Sequence, residues 1–230
     1  MLSACARVGG DNGEAKTDQE QVDLQQADRV VAQITMGAGN LEIGGGAPAL
    51  MQADFTYNVD AWKPDVEYDV SPSGDESVGN LSVKQPANIE LDPNLTDFRY
   101  DWNIRFNNDV PLDLRVDLGA GNGSLDASSL NLTALDVAAG AGDLRVDLSG
   151  QPQQAVSVTI RGGVGNLTVL LPNQAPVKVD VSGGLGRVVA TGLTRNEEGS
   201  FVSPSLGSAE PTLIVDIQGG VGEVDLEVVQ

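Results

Sequence analysis

The sequence predicts an all-β protein: a repeat-built, β-solenoid-like body preceded by an aromatic-rich N-terminal β unit. Two observations predict this fold class. Apolar and polar residues alternate in many short runs, which is the period of a β-strand with one buried face. A Gly-x-Gly pattern recurs between such runs, and recurrence at a near-constant spacing is the signature of a repeat architecture. No segment shows a convincing helical period.

The Gly-x-Gly repeats define the predicted body, residues 110–230. After Gly119-Ala120-Gly121, the first glycines of later copies follow at intervals of 21, 23, 21 and 36 residues. A rung of ~21 residues at ~3.3 Å each gives a coil perimeter of ~70 Å, which suits a β-solenoid. The longest interval contains residues 192–211, whose Ser, Pro, Gly and Glu content predicts an inserted loop. The other copies begin at Gly37, Gly140, Gly163, Gly184 and Gly220.

Apolar residues keep the same position relative to each glycine pair. One lies three residues before the pair, as at Val137, and one lies between the glycines, as at Ala141. Others follow two and four places after the pair, as at Leu144 and Val146. The apolar phase therefore shifts by one residue at the second glycine, which predicts a corner or bulge that keeps one face inward. A solenoid with stacked glycine corners and an antiparallel meander of hairpins both fit this pattern.

Residues 29–109 are predicted to form an aromatic-rich β unit. They contain eight of the nine aromatic residues, and several runs alternate with a period of two. Segments with Pro and Gly between the runs predict turns. Trp62, Tyr100 and Trp102 are candidates for a carbohydrate-binding surface. Packing in the core of a small β unit is the more frequent role of such side chains, and we favour it.

The first 28 residues predict an anchor and a tether. Residues 1–5, Met-Leu-Ser-Ala-Cys, match the end of a bacterial lipoprotein signal (a lipobox), in which the cysteine carries the lipid. The basic and apolar stretches that usually precede a lipobox are not in the sequence, which leaves a truncated chain, a misplaced start or an accidental match open. Residues 6–28 are polar and acidic, which predicts a linker. We expect lipidation at Cys5, and the alternative is a frayed terminus with a free thiol.

The composition argues against several functional classes. Lys and Arg number 13 against 33 Asp and Glu, a net charge of −20 that repels nucleic acid and a bare anionic membrane. The chain has no His, which removes the commonest general base and the commonest metal ligand. No run of 18 apolar residues predicts a membrane-spanning helix. We expect no enzymatic activity, no catalytic residues, no metal site and no cofactor.

Three motif interpretations compete with the structural one. Residues 119–123 resemble a glycine-rich nucleotide loop, but no helix pattern follows and the motif recurs, so corner glycines are favoured. A calcium ladder needs an acid at one fixed position, and Arg187 occupies that column. Whether a surface calcium binds stays open. Carboxylate pairs such as Asp143 and Asp147 alternate with apolar residues, as the solvent face of a strand does, so a glycan hydrolase is a remote alternative.

The segment from about residue 98 to residue 230 resembles the toastrack-type β-repeat domains, which include the C-terminal domain of LiaF-like cell-wall-active antibiotic response proteins and a related adhesin group. The residues that carry the resemblance are 110–121, 130–144 and 219–224. Residues ~30–115 are similar to the N-terminal unit that accompanies this domain in some members. The resemblance implies a β-rich, non-catalytic envelope module, and some relatives are tied to sensing envelope stress. It supplies no catalytic or ligand residues.

The leading prediction is a non-catalytic lipoprotein of the bacterial cell envelope, exported and lipid-anchored, with a structural, interaction or envelope-stress-related role. Its expected partner is another envelope protein or a wall polymer, and the membrane is reached through the lipid alone. Unprotected end rungs tend to pair edge to edge, so a homodimer is a further expectation. The first alternative is a carbohydrate-binding or adhesin module that uses the aromatic residues near Trp62 and Trp102.

Overall fold

The computed structural model describes residues 14–86 and 98–229, with the backbone alone for Leu185. The structure is almost entirely β, which confirms the predicted fold class; a 3-10 turn, Asp60–Trp62, is the one helical element in these ranges. The strands are β1 (Lys16–Val22), β2 (Arg29–Ala38), β3 (Asn40–Gly45), β4 (Met51–Tyr57), β5 (Asp65–Ser73), β6 (Glu76–Lys84), β7 (Tyr100–Phe106), β8 (Leu112–Ala120), β9 (Gly123–Asp126), β10 (Leu132–Ala141), β11 (Leu144–Asp147), β12 (Val156–Val164), β13 (Leu167–Pro172), β14 (Val177–Leu185), β15 (Val188–Thr191), β16 (Thr194–Arg195), β17 (Phe201–Val202), β18 (Leu213–Val221) and β19 (Val224–Val229).

The strands form two sheets that enclose the core. Sheet A has the order β1-β4-β7-β3-β9-β11-β13-β19-β15, and sheet B has the order β16-β17-β14-β18-β12-β10-β8-β2-β6-β5. Strands of successive repeats pair in parallel in both sheets, as β10 does with β8 and β11 with β9. This parallel pairing selects the solenoid over the antiparallel meander. Antiparallel strands occur at the ends: β4 and β1 on sheet A, and β5 and the β16–β17 pair on sheet B.

Each rung of the solenoid is one strand of sheet B followed along the chain by one strand of sheet A. The spatial order of the rungs is β6/β7, β2/β3, β8/β9, β10/β11, β12/β13, β18/β19 and β14/β15. Chain order and spatial order therefore differ at both ends of the stack. Residues 192–211, the segment predicted as an inserted loop, connect the end rung β14/β15 to the last rung of the chain, β18/β19. This last rung lies between β12/β13 and β14/β15, not beyond the end rung. The inserted segment forms β16 and β17, which cover the edge of sheet B beside β14.

A single cluster of buried side chains fills the space between the two sheets. It includes Ile34 of β2, Leu114 of β8, Val146 of β11 and Val169 of β13, all of which are fully buried. β2 pairs with β8 in register across the predicted boundary at residue 110. The two predicted units thus share both sheets and one core.

The corners behave as the phase shift predicts, with one correction. Buried positions change parity across each corner, from Leu118 to Gly123 in the first complete repeat. The apolar residue between the glycines was expected to point inward, and that expectation is wrong. Val164 and Val221 are 60% and 51% exposed.

The second glycine of each pair cannot be replaced without moving a neighbouring rung. Gly121 and Gly142 have φ values of 126° and 128°, which residues with a Cβ rarely adopt. A Cβ on Gly142 would collide with the carbonyl oxygen of Gly121 one rung away. In the other direction, the Gly142 amide donates to the carbonyl of Val164 at 2.8 Å. Rungs therefore stack at full backbone hydrogen-bonding distance through the corner.

We expect Gly142→Ala to lower the free energy of unfolding by about 3 kcal/mol, because it combines a left-handed backbone with a collision against main chain. The matched control is Ala141→Ser, one residue away and exposed, which should change stability by less than ~0.5 kcal/mol. Urea unfolding followed by circular dichroism measures both. Equal midpoints for the two variants would contradict this account of the corners.

β1 lies within the segment that the sequence predicts to be a polar linker. Six of its seven side chains are polar, none is buried, and Val22 is its one apolar residue, so no apolar pattern reveals it. Its pairing with β4 is instead supported by polar contacts: the Thr17 and Thr56 hydroxyls are 2.8 Å apart, and Gln19 donates to Asp54 at 2.8 Å. The hydroxyl of Tyr57 donates to Asp18 at 2.5 Å. The edge of β4 thus orders a strand that its own composition does not predict.

Burial, together with the bond to Asp18, raises the pKa of Tyr57 from its ordinary value of 10.0 to about 12. The neutral side chain therefore stabilises the fold fully below pH 10.0, and this contribution is lost as the pH rises through about 12. We expect Tyr57→Phe to lower the free energy of unfolding by about 1 kcal/mol at pH 7, because the hydrogen bond to Asp18 is lost. Between these two pH values its unfolding free energy should fall less steeply than that of wild type. Urea titrations across this range test the difference, and parallel curves would refute it.

Candidate functional site

A polar groove crosses the outer face of sheet A close to the corners. It consists of two adjoining depressions of about 470 and 510 Å³ that share Asn122 and Gly123 in their linings. We call it the sheet A groove. Its outward-facing side chains include Glu42, Asp54, Asp101, Asn103, Ser124, Asp143, Arg145, Asn166, Thr168, Glu223 and Asp225.

The parallel register aligns these side chains into rows. Ser124, Arg145, Thr168 and Asp225 are paired neighbours on β9, β11, β13 and β19. On the other side the row continues through Glu42 to strands β7 and β4. Seven adjacent strands at ~4.8 Å give the groove a length of ~29 Å. The groove can therefore contact an extended polymer or a protein surface over several repeating units.

A ladder of amide and carboxylate side chains forms the corner side of the groove. The side-chain oxygens of Asn122, Asp143 and Asn166 each accept a hydrogen bond from the backbone amide of the next residue in the ladder. The donors are the amides of Asp143, Asn166 and Glu223, at 3.3, 2.9 and 3.3 Å. The last of these amides belongs to Glu223, whose carboxylate pairs with Arg187 at 2.5 Å. The exchanged rung order places Arg187 at the end of the ladder, beside an acid. This position explains the arginine that interrupts the column in the sequence.

The groove carries a surplus of acceptors. Arg99 pairs with Asp101 at 2.7 Å, and Arg105 lies 3.8 Å from Asp54. Within residues 14–86 and 98–229, no ion pair involves Arg145, so its guanidinium is available to a ligand. Carboxylate and amide oxygens accept hydrogen bonds from hydroxyl or amine groups, and the arginine and the amides donate. Such a surface suits a hydroxyl-rich polymer or a polar protein face.

Of the three predicted aromatic site residues, Trp102 contributes to the lining of the groove, and Trp62 and Tyr100 do not. Cys5 is outside the described residues. Trp62, Tyr100 and Trp102 come together in edge-to-face contacts, with ring centres 5.6 and 5.5 Å apart, but they are 3%, 2% and 1% exposed. Burial also raises the pKa of Tyr100. A stacking platform for a sugar needs an open ring face, so the structure assigns these three rings to the core.

Two further observations concern the described part of the chain. None of its helical segments has the length and apolar character needed to cross a membrane. Its His, Cys, Asp and Glu residues form no group of three or more with the arrangement of a metal site.

The groove was missed at the sequence level, although a signal for it exists. Ser124, Arg145, Thr168 and Asp225 each stand three residues after the second glycine of their repeat, and Glu42 has the same position after Gly39. Aligning the repeats on their glycines therefore collects a column that is polar in five of the six copies, with Val189 in the copy that begins at Gly184. The residue types differ at every copy, so the column shows no motif.

Comparison with known proteins assigns the class. The family model for the N-terminal domain of toast_rack, DUF2154, matches residues 11–170. A solved structure described as a "putative cell adhesion protein" from Clostridium sporogenes ATCC 15579 is 31% identical, with a TM-score of 0.87, and the match covers 94% of this chain and all of that one. The protein belongs to the toast_rack family, which confirms the predicted resemblance. No curated protein matches the sequence.

Two other solved structures, both described as a "putative adhesin", are more distant. The Bacteroides fragilis NCTC 9343 structure has 10% identity and a TM-score of 0.23 over 93% of this chain and 97% of that one. The Parabacteroides merdae ATCC 43184 structure has 12% identity and a TM-score of 0.26 over 95% and 98%. Scores this low support no argument about fold.

Proposed function

We propose that this protein is a non-catalytic, adhesin-type lipoprotein of the bacterial cell envelope. In this proposal the lipid on Cys5 holds it at the membrane, and the sheet A groove binds another envelope protein or a wall polymer. The observation that carries the proposal is the groove itself, a polar surface ~29 Å long on a sheet whose neighbouring strands are fixed in register. The similarity to a structure described as a cell adhesion protein supports an interaction role.

The charges of the groove narrow the chemistry of its partner. Glu42, Asp143 and Asp225 face outward, and Arg145 lies among them without an ion pair to any residue of the ranges 14–86 and 98–229. An anionic polymer would meet repulsion from these carboxylates and from a chain with a net charge of −20. A neutral, hydroxyl-rich polymer or a protein face with amine and amide donors would be accepted. We therefore favour glycan strands or a basic protein face over phosphate-rich wall polymers.

The anchor predicts where the protein resides. In the native bacterium we expect Cys5→Ala to move the protein from the membrane fraction to the soluble or secreted fraction, and globomycin treatment of wild-type cells to impair its processing. The control is Arg7→Ala, which leaves the lipobox intact and should keep the protein at the membrane. Fractionation and immunoblotting read out the result. Unchanged membrane association of Cys5→Ala would exclude the lipid anchor.

The groove predicts a binding defect that does not affect folding. We expect Ser124→Lys combined with Thr168→Lys to reduce co-sedimentation with isolated cell walls of the native bacterium about ten-fold, a loss of ~1.4 kcal/mol, because the long side chains fill the groove and their charge repels a basic partner. Both side chains face outward, so the core is untouched. The matched control is Ser157→Lys with Gln218→Lys, which adds the same charge to the outer face of sheet B and should bind as wild type does.

The same assay separates the two kinds of partner. Cell walls boiled in detergent lose their attached proteins but keep the glycan. Binding that survives boiling identifies a wall polymer, and binding that is lost identifies a protein. If wild type and the groove variant sediment equally well, the groove is not the binding surface and the proposal fails.

A further inference from the structure

β1 is held to the body by its pairing with β4, and β4 of a second copy could form the same pairing. It pairs with one strand, β4, over seven residues. None of its side chains is buried, and the contacts along the pairing are polar: Thr17 with Thr56, Gln19 with Asp54 and Asp18 with Tyr57. The one apolar side chain of β1, Val22, is partly buried against the core cluster, so detaching β1 uncovers a single apolar contact at the end of the strand. The edge of β4 offers the same set of partners to the β1 strand of any other copy.

The connection from β1 to β2 contains a conformationally unfavourable turn. Gln25 and Gln26 have φ values of 50° and 64°, and they are the only residues other than glycine with positive φ in the described ranges. The Ala27 amide donates to the Leu24 carbonyl at 3.1 Å and closes the turn. Left-handed conformations are unfavourable for residues with a Cβ, and here two of them are consecutive.

Contacts on both sides of the turn hold this conformation in place. The hydroxyl of Tyr68 donates to the Leu24 carbonyl at 2.7 Å. On the far side, the Asp28 carboxylate accepts the Ser77 amide at 2.7 Å, and the Asp28 amide donates to the Ser77 carbonyl at 2.8 Å. Ala27 is buried. The unfavourable backbone is thus confined to the two glutamines, between a terminal strand and the start of the body.

We propose that the β4 edge is an exchange site for β1 of a second copy, which makes a domain-swapped dimer. In the exchanged form every contact of β1 is kept, but residues 23–28 cross to the partner in an extended conformation. Six residues span up to ~20 Å, and opening the turn removes the left-handed conformations. A short connection under strain favours swapping, because the swapped state keeps the contacts of β1 with β4 and loses the strain. The contacts given up are those of the turn itself, the Ala27–Leu24 bond and the bond from the Tyr68 hydroxyl to the Leu24 carbonyl.

The exchange would also affect the sheet A groove. Asp54 and Thr56 of β4 line one end of the groove and are the residues that bond to Gln19 and Thr17. In the dimer, each groove is therefore bordered by a strand from the other copy. The inference rests on β1, β4 and the turn alone, so it stands or falls independently of the lipid anchor and of wall binding.

A disulfide across β1 and β4 tests the exchange directly. Thr17 and Thr56 are directly opposite partners, so Thr17→Cys with Thr56→Cys places two cysteines within reach of each other. Cys5→Ser is included to remove the native thiol. The reduced protein is unfolded and refolded at high concentration, separated by size, oxidised, and run on a denaturing gel without reductant. A swapped dimer gives a covalently linked pair of chains, whereas the monomer fraction gives an internal disulfide.

The matched control is Asp69→Cys with Asn80→Cys in the same background, which joins β5 to β6 and touches neither β1 nor β4. This pair should form its disulfide within one chain in both fractions. A dimer fraction whose Thr17–Thr56 disulfide is also internal would overturn the proposal, because that dimer would have kept its own β1. A protein that remains monomeric at every concentration after refolding would overturn it as well.

The turn supplies a second, independent readout. Gln26→Gly removes the cost of positive φ in the closed turn, so it should favour the monomer and weaken dimerisation by about ten-fold or more when summed over two subunits. The control, Gln153→Gly, lies in an exposed loop without positive φ and should leave the monomer–dimer equilibrium unchanged. Sedimentation velocity on both variants measures the shift. An unchanged equilibrium in Gln26→Gly would show that strain in the turn does not drive dimerisation.

Discussion

The close approach of neighbouring rungs at the corners is the constraint on which the rest of the structure depends. At Gly121, Gly142 and Gly165 the space that a Cβ would occupy is taken by the carbonyl oxygen of the adjacent rung. Because these positions accept only glycine, every rung turns at the same height and the strands on both sides enter in the same register. Once the register is set, the valine, leucine and isoleucine side chains that point inward align in rows across neighbouring strands. The side chains that point outward align in the same way.

The sheet A groove follows from this alignment. Side chains such as Ser124, Arg145 and Thr168 are far apart in sequence and need no contact with one another to share a row. The ladder beside them is different, since each of its side chains also accepts a main-chain amide from the next rung. The ladder therefore fixes the position of the groove wall, while the neighbouring row is free to vary chemically.

The repeats and the fold class were predictable because glycine is required at fixed positions and because strands with one buried face alternate. The exchanged order of the end rungs was not, since each rung presents much the same backbone edge and only the connections decide which neighbour it takes. β1 escaped detection for a related reason: its stability comes from the β4 edge rather than from its own side chains. The aromatic residues were visible, but their burial depends on the facing sheet, which alternation alone does not locate.

The ends of the solenoid also determine how far association can proceed. At one end of sheet B, β5 carries Asp65, Glu67 and Asp69 and contains a proline. At the other end, β16 and β17 have only two residues each. Both features disfavour pairing of these edges with a strand of another chain. On sheet A, the charges of Lys16, Asp18 and Glu20 lie on β1. A reciprocal exchange of β1 leaves this charged strand on the outside of both copies. The exchange thus closes on itself at two chains.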